Sequence, residues 1–298
     1  VQGRGTKVGA DLVNHPSIKA VAFTGSLEGG RALFNLASAR PDPIPVYAEM
    51  GSVNPVFLLP HALQEQGDPL ARNFVESVAL GVGQFCTSPG LVFAIKGTAL
   101  DAFIETTGKL FSQKTAGAML HAGIRKSFTQ GIDQLKAIDG VEQVGSAQNQ
   151  GEGCFATPVL LKTDSGTFIA NQAIGEEVFG PSSLVVACNS REDLLAAARS
   201  LDGQLTATVH GSSTELDDFV ELFKVLERKA GRILLNGFPT GVEVCDSMNH
   251  GGPYPATTDS RSTSVGTAAI KRFLRPVCYQ NFPQAMLPEP LKLSLIHI

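Results

Sequence analysis

Short apolar runs alternate with helical patterns along most of this chain, and that alternation limits the available folds more than any other feature. Residues 18–23 read as a buried strand, followed by the turn Thr24-Gly25-Ser26 and a helix over 27–39 with Leu33, Leu36 and Ala37 on one face. Pro41, Pro43 and Pro45 close that helix. Residues 46–50 and 55–59 are short apolar segments. Residues 69–80 predict a second helix, with Leu70, Phe74, Val75 and Val78 aligned, and 91–95 a strand. A helix, a helix and a strand follow. The spacing then predicts a helix over 192–201 and a strand over 205–210. A helix over 213–228 comes next, with Leu216, Phe219, Val220 and Phe223 facing inward, and then a strand over 233–236. Strands separated by helices of this length belong to the α/β class with a parallel sheet. A hydrophobic fraction of 43% over 298 residues is enough to bury a sizeable core. Between 248 and 269 the composition shifts to Gly, Pro, Ser and Thr, which reads as a functional loop or as a connection back to another domain.

Several function classes are disfavoured at this stage. The net charge is −4, from 24 basic and 28 acidic residues, without a block of one sign, so nothing points to nucleic acid or an anionic membrane surface. No apolar run approaches the roughly 18 residues that span a bilayer. The five cysteines, at 86, 154, 188, 245 and 278, form no C-x-x-C pair. Their odd number and wide spacing argue against a disulfide framework and for a reducing compartment, most simply the cytoplasm. The six histidines lack ligand spacing, so no metal site is expected.

Five stretches carry residue types suited to chemistry. Phe23-Thr24-Gly25-Ser26 places a tight turn between strand and helix, which aims backbone N–H groups at a phosphate or is simply a turn with a capping serine. In Glu49-Met50-Gly51 a carboxylate leaves a strand beside a Gly-Ser turn, as a general base in a cleft or as a surface glutamate. Cys86 lies in Gly81-Val82-Gly83-Gln84-Phe85-Cys86-Thr87, where small neighbours admit a substrate and N–H groups can stabilise an oxyanion; it is a nucleophile or a packing cysteine. Cys188 and Cys278 sit in apolar runs and read as packing residues, as do Cys154 and Cys245 less clearly. Glu177 and Phe179, in Gly175-Glu176-Glu177-Val178-Phe179-Gly180-Pro181, suit ribose hydroxyls and a flat ring, or a solvated turn with a core Phe. The Gly-rich loops at 236–241 and 250–253 suit a substrate mouth, with His250 taken alone as structural.

Together the motifs Phe23-Thr-Gly-Ser26, Glu49-Met-Gly-Ser-Val-Asn-Pro55, Gly83-Gln-Phe-Cys-Thr87 and Glu176-Glu-Val-Phe-Gly-Pro181 resemble the aldehyde dehydrogenase superfamily in kind and order. Within it, His250-Gly-Gly-Pro-Tyr-Pro-Ala256 and the stretch from Phe273 to Pro283 resemble the 2,5-dioxovalerate (α-ketoglutarate semialdehyde) dehydrogenases, a branch that also holds aliphatic aldehyde dehydrogenases. The extra residues between base and nucleophile fit that branch too. The usual Glu-Leu-Gly-Gly-Lys is replaced here by Glu49-Met50-Gly51-Ser52-Val53.

The resemblance implies oxidation of a small-molecule aldehyde by NADP or NAD, with Cys86 as nucleophile through a thioester and Glu49 activating water. It also implies that Glu177 and Phe179 hold the nicotinamide ribose and ring, and that Gly25 and Ser26 approach the phosphates. Because coenzyme A-using relatives lack such a base, Glu49 favours release of the free acid. The implied architecture is a remnant of a Rossmann-like cofactor domain over 1–50, a parallel-sheet catalytic domain over 51–247, and a return to the cofactor domain with oligomer contacts over 248–293. Residues 294–298 read as a foreign tail, and homo-oligomers are the family habit. The chain opens on Val1 rather than Met. The family's first cofactor strands, with the oxyanion-hole asparagine, precede that point, so a longer parent is expected, with an exposed sheet edge here and a segment that is inactive alone as one reading. A cofactor-independent cysteine acyl hydrolase would also use Cys86, but it needs a histidine partner, and no histidine stands in a motif that supplies one.

Overall fold

The computed structural model describes residues 5–147 and 153–292. Two sheets organise it. Strands β1 (Val21–Thr24) and β2 (Val46–Glu49) form a parallel pair, accompanied by helices α1 (Gly5–Asn14) and α2 (Leu27–Ser38). Val13, Ala37, Val46, Ala48 and Met50 are its buried core, with Leu33 and Leu36 packed at its margin.

The remaining elements alternate as the α/β reading requires: β3 (Val56–Leu58), α3 (Pro60–Ala79), β4 (Leu91–Ile95), α4 (Thr98–Gln113), β5 (Gly117–Ala118), α5 (Ala122–Lys136), β6 (Glu142–Ser146), β7 (Phe155–Ala156), β8 (Val159–Asp164), α6 (Ser165–Ala170), β9 (Ser182–Cys188), α7 (Arg191–Ser200), β10 (Gln204–His210), α8 (Val220–Leu226) and β11 (Ala230–Leu235). Seven of these strands make one sheet in the order β11-β10-β3-β4-β9-β8-β6. Its ladders are parallel except that between β6 and β8. Helices cover both faces, so successive residues of a strand enter different cores. On β4, Leu91 and Phe93 join one cluster, Val92 and Ala94 the other. Phe93 stacks on Phe57 at 5.0 Å and meets Phe168 edge-on at 5.1 Å.

The departures from expectation have local causes. Helix α3 begins at Pro60, earlier than the apolar face suggested, with a break at Gln66 (φ −133°, ψ 23°). Pro69 lies just beyond that break, and its ring crowds the carbonyl four residues back. The predicted helix over 213–228 is a 3₁₀ turn, Leu216–Phe219, joined to the short α8. The change of pitch turns Val220 out to solvent and puts Leu222 and Leu226 into the core. After the two helices α4 and α5 one strand is expected where β6, β8 and β9 stand; β6 is an edge strand with a mostly polar sequence, and β8 is apolar and buried. Cys188 is buried, as expected, but Cys245 and Cys278 are exposed and Cys154 is half-buried. The tail at 294–298 lies outside the described residues. No helix among the described residues is long and apolar enough to cross a membrane.

Candidate active site

Cys86 follows α3 through a tight turn in which Gly81, Val82 and Gly83 all take left-handed backbone angles (φ 56°, 60° and 64°). For a β-branched residue such as Val82 this conformation is strained and persists only where its surroundings enforce it. The packing at Gly83 supplies one constraint: a Cβ there would lie 2.2 Å from the Gly180 carbonyl oxygen, so the nucleophile turn and the Gly180-Pro181 turn touch backbone to backbone. Asn54 supplies the other. It is fully buried, and its Nδ2 donates to the Cys86 carbonyl at 2.8 Å and to the Ser88 carbonyl at 3.0 Å. Its Oδ1 accepts from Ser52 Oγ and Thr206 Oγ1. Gln204 Oε1 in turn accepts from the N–H groups of Val53 and Asn54 and from Ser52 Oγ. This polar network is buried and densely paired, the condition under which such a network fixes one geometry.

The small sheet brings Glu49 to the same place. At the end of β2, Glu49 is buried; its Oε1 meets His250 Nε2 at 3.1 Å, and its Oε2 accepts from Ser264 Oγ. His250 Nε2 also lies 3.3 Å from Cys86 Sγ. A single nitrogen thus faces both acids. A bare lone pair toward a carboxylate would be repelled, so Nε2 carries its proton here, shared between oxygen and sulfur. Burial alone would lower the His250 pKa, but the bonds and charges of Cys86 and Glu49 outweigh it and raise it to about 9. Burial pushes Glu49 up, yet the hydrogen bonds from His250 and Ser264 and the imidazolium charge win, leaving it below its ordinary value.

Glu177 sits over Gly51, where a Cβ would come within 2.8 Å of its Oε2. As a residue Glu177 is exposed, while protein atoms surround its carboxyl. That crowding raises its pKa to about 7 against a hydrogen bond from the Ser52 backbone, and the nearby Glu49 charge adds to the rise. Solvent access moderates the shift. Glu177 and Phe179 line one depression with Ser52, Val53, Phe85 and Ser88, beside the nucleophile turn. Gly25 N–H donates to the Glu49 carbonyl at 3.1 Å, and Ser26 caps α2 by accepting from Gly29 N–H at 3.2 Å. Ser26 is therefore the N-cap of α2.

Cys86, Glu49, Glu177 and Phe179, named from sequence, are thus gathered in one region, with Gly25 bonded to Glu49. Three residues were missed. His250 was taken as structural, and it instead bridges Cys86 and Glu49; its partners lie 164 and 201 positions away, beyond any local pattern. Ser264 carried no signal. Asn54 stood in the quoted Glu49-to-Pro55 motif without a role. Oxygen, sulfur and nitrogen donors of Glu49, Cys86 and His250 lie within 4.8 Å of one another, a grouping that histidine spacing is unable to reveal.

Comparison with known proteins agrees with this geometry. The model of the "Aldehyde dehydrogenase family" matches residues 1–274. The chain is 50% identical over 292 residues to an alpha-ketoglutaric semialdehyde dehydrogenase 2 of Azospirillum brasilense, covering 98% of this chain and 56% of that protein. It is 51% identical over 291 residues to an alpha-ketoglutaric semialdehyde dehydrogenase of Acinetobacter baylyi, covering 97% of this chain and 55% of that one. The chain therefore spans about half the length of these curated relatives. Among solved structures, an NAD-dependent aldehyde dehydrogenase from Sinorhizobium meliloti matches in fold with a TM-score of 0.74 at 21% identity, over 92% of this chain and 53% of that one.

Proposed function

The chain belongs to the aldehyde dehydrogenase family, and from that premise we propose that it supplies the nucleophile, the base and part of the cofactor wall of an enzyme oxidising an aldehyde to the carboxylic acid. The proposed substrate is α-ketoglutaric semialdehyde (2,5-dioxovalerate), the compound in the names of the two relatives at about half identity. The observation that carries the reading is the contact of Cys86 Sγ with a histidine that is itself held by Glu49.

The residues present fit a nicotinamide dinucleotide, NAD or NADP. Glu177 offers carboxylate oxygens to ribose hydroxyls, Phe179 a flat face, and the α2 N-terminus at Gly25-Ser26 its free N–H groups. When bound, the nicotinamide accepts the hydride. The rest falls to this chain. The thiol proton of Cys86 leaves to solvent, the His250 Nε2–H steadies the sulfur that remains, and Sγ attacks the aldehyde carbon to give the alkoxide of a thiohemiacetal. Loss of hydride from that carbon leaves a thioester on Cys86. Water then attacks the thioester carbon, giving a proton to Glu49 as the C–S bond breaks and the acid departs. While His250 and Ser264 hold it, Glu49 is a weak base and an electrostatic partner of the imidazolium. It becomes the base by giving up one of those bonds once Cys86 is acylated.

The histidine partner that a cofactor-independent hydrolase would need is present after all, but family membership favours the dehydrogenase. The division at about 50 and 247 is kept as part of the proposal. It is supported by Met50 N–H donating to Ala256 O and Thr258 N–H to Ala48 O, which join the 248–293 segment to β2. The exposed Phe273, Leu274, Val277 and Phe282 support subunit contacts there, and the free cysteines support a reducing, cytoplasmic setting. The test is cofactor reduction by the longer protein with 2,5-dioxovalerate and NADP or NAD. Turnover is expected, and Cys86→Ala is expected to lower it by a factor of about a thousand or more. Undiminished turnover in that variant would overturn the reading.

A further inference from the structure

The contact between Cys86, His250 and Glu49 has a second chemistry. Zinc bonds run at about 2.0–2.1 Å to nitrogen, about 2.0–2.2 Å to oxygen and about 2.3 Å to sulfur, so a tetrahedral ion needs N···O edges of about 3.3 Å and N···S edges of about 3.5 Å. Here the Nε2···Oε1 separation is 3.1 Å and Nε2···Sγ is 3.3 Å. Both fall short of a coordination edge by only about 0.2 Å, on the scale of the tolerance for a real site. The third donor pair lies within the same 4.8 Å cluster.

We propose that Glu49, Cys86 and His250 form a three-donor site for a thiophilic divalent cation of the zinc class, with the fourth position open to water. The donor set selects the class. Sulfur and imidazole suit zinc and its softer neighbours, whereas magnesium and calcium require oxygen shells. The surroundings are those of a supported site. Ser264 orients the carboxylate through the oxygen that Nε2 does not use. Asn54 fixes the backbone at Cys86. Such outer partners hold first ligands in place. On binding, the Nε2 proton and the thiol proton leave to solvent as the cation takes both lone pairs. A cation seated there occupies the sulfur that attacks the aldehyde and the nitrogen that steadies it, so it holds the enzyme off reversibly. Cation binding itself is independent of the proposed reaction; only the block on turnover rests on that reading.

Titration of the metal-free protein with Co²⁺, followed by absorption, tests the site. One equivalent is expected to give a thiolate-to-cobalt charge-transfer band with tetrahedral d–d intensity, and Zn²⁺ is expected to displace it. His250→Ala and Glu49→Gln should each weaken binding at least about tenfold. Zn²⁺ should also slow alkylation of Cys86 in the unaltered protein while the exposed Cys245 and Cys278 react unchanged, a readout that needs no variant to fold. Absence of the charge-transfer band, affinity indifferent to both substitutions, or unslowed alkylation of Cys86 would overturn the site. Cobalt binding with the expected band, in a longer protein that oxidises no aldehyde when metal-free, would support the site and count against the proposed reaction.

Discussion

The seven-stranded sheet and the β1–β2 pair treat their strands differently. In the seven-stranded sheet every residue of β10 is buried, and β4 is buried except at its last residue. In the two-stranded sheet, β1 alternates half-buried and exposed positions along its whole length. Cys86 hangs from the first sheet through α3 and the Asn54–Gln204 network; Glu49 and the Gly25-Ser26 turn hang from the second. The nucleophile's geometry is thus supplied from within, by a doubly covered scaffold, while the cofactor-side turn stands on a scaffold covered on one face. The active centre is where the two meet.

The largest expected effect tests the scaffold. Phe93→Ala should cost about 3–5 kcal/mol in denaturant unfolding, as a large side chain removed from a sealed core does, whereas Val21→Ala on β1 should cost about 1 kcal/mol or less. Equal losses would break the contrast. Asn54→Ala comes next. It takes the Asn54 amide from the carbonyls of Cys86 and Ser88 and from the Thr206 hydroxyl, and a loss of about 3 kcal/mol is expected in the same measurement. It should also change the alkylation rate of Cys86; an unchanged rate would mean that the turn holds itself.

The third test sharpens the contrast by pH. His210, at the end of β10, is buried against Phe238 at 4.7 Å with no partner on Nε2. Burial lowers its pKa from 6.5 to about 4. Between those values the unfolded chain binds a proton that the folded chain refuses. Stability is therefore full above pH 6.5 and falls as the pH drops toward 4, by about 2 kcal/mol between pH 7 and 5. His210→Gln should remove that part of the acid limb. The smallest effect is at the exposed end: Ser26→Ala should cost about 1 kcal/mol, seen as faster amide exchange in α2 with β4 unaffected.

What the sequence made legible follows the same division. The 3.6 period marks α2 and α7, and short runs of apolar and β-branched residues mark the buried β4 and β10, so these were readable within a residue or two. The stretch between α5 and α7 was less so: one strand was expected where β6, β8 and β9 stand, and an edge strand such as β6, with exposed Glu142 and Gln143, has little pattern to show. Cys86 and Glu49 were legible because each sits in a local motif. His250 was not, because its role is created by chain-distant contacts, and a Gly-Gly-Pro sequence around it only announces a turn. Ser264 lies in a stretch rich in hydroxyl residues, where no one of them differs in sequence from the rest.

The segment from Glu49 to Asn54 crosses from one sheet to the other, with the carboxylate at one end and the carboxamide that grips the Cys86 loop at the other. Acid and sulfur are thereby gauged from one short ruler. A shift of this ruler is common to both reacting groups and drops out of their separation, as a signal common to two inputs drops out of a difference amplifier. The centre is in this sense insulated from breathing between the sheets, and only a change in the length of the ruler itself, by insertion or deletion between 49 and 54, reaches the distance on which the chemistry depends.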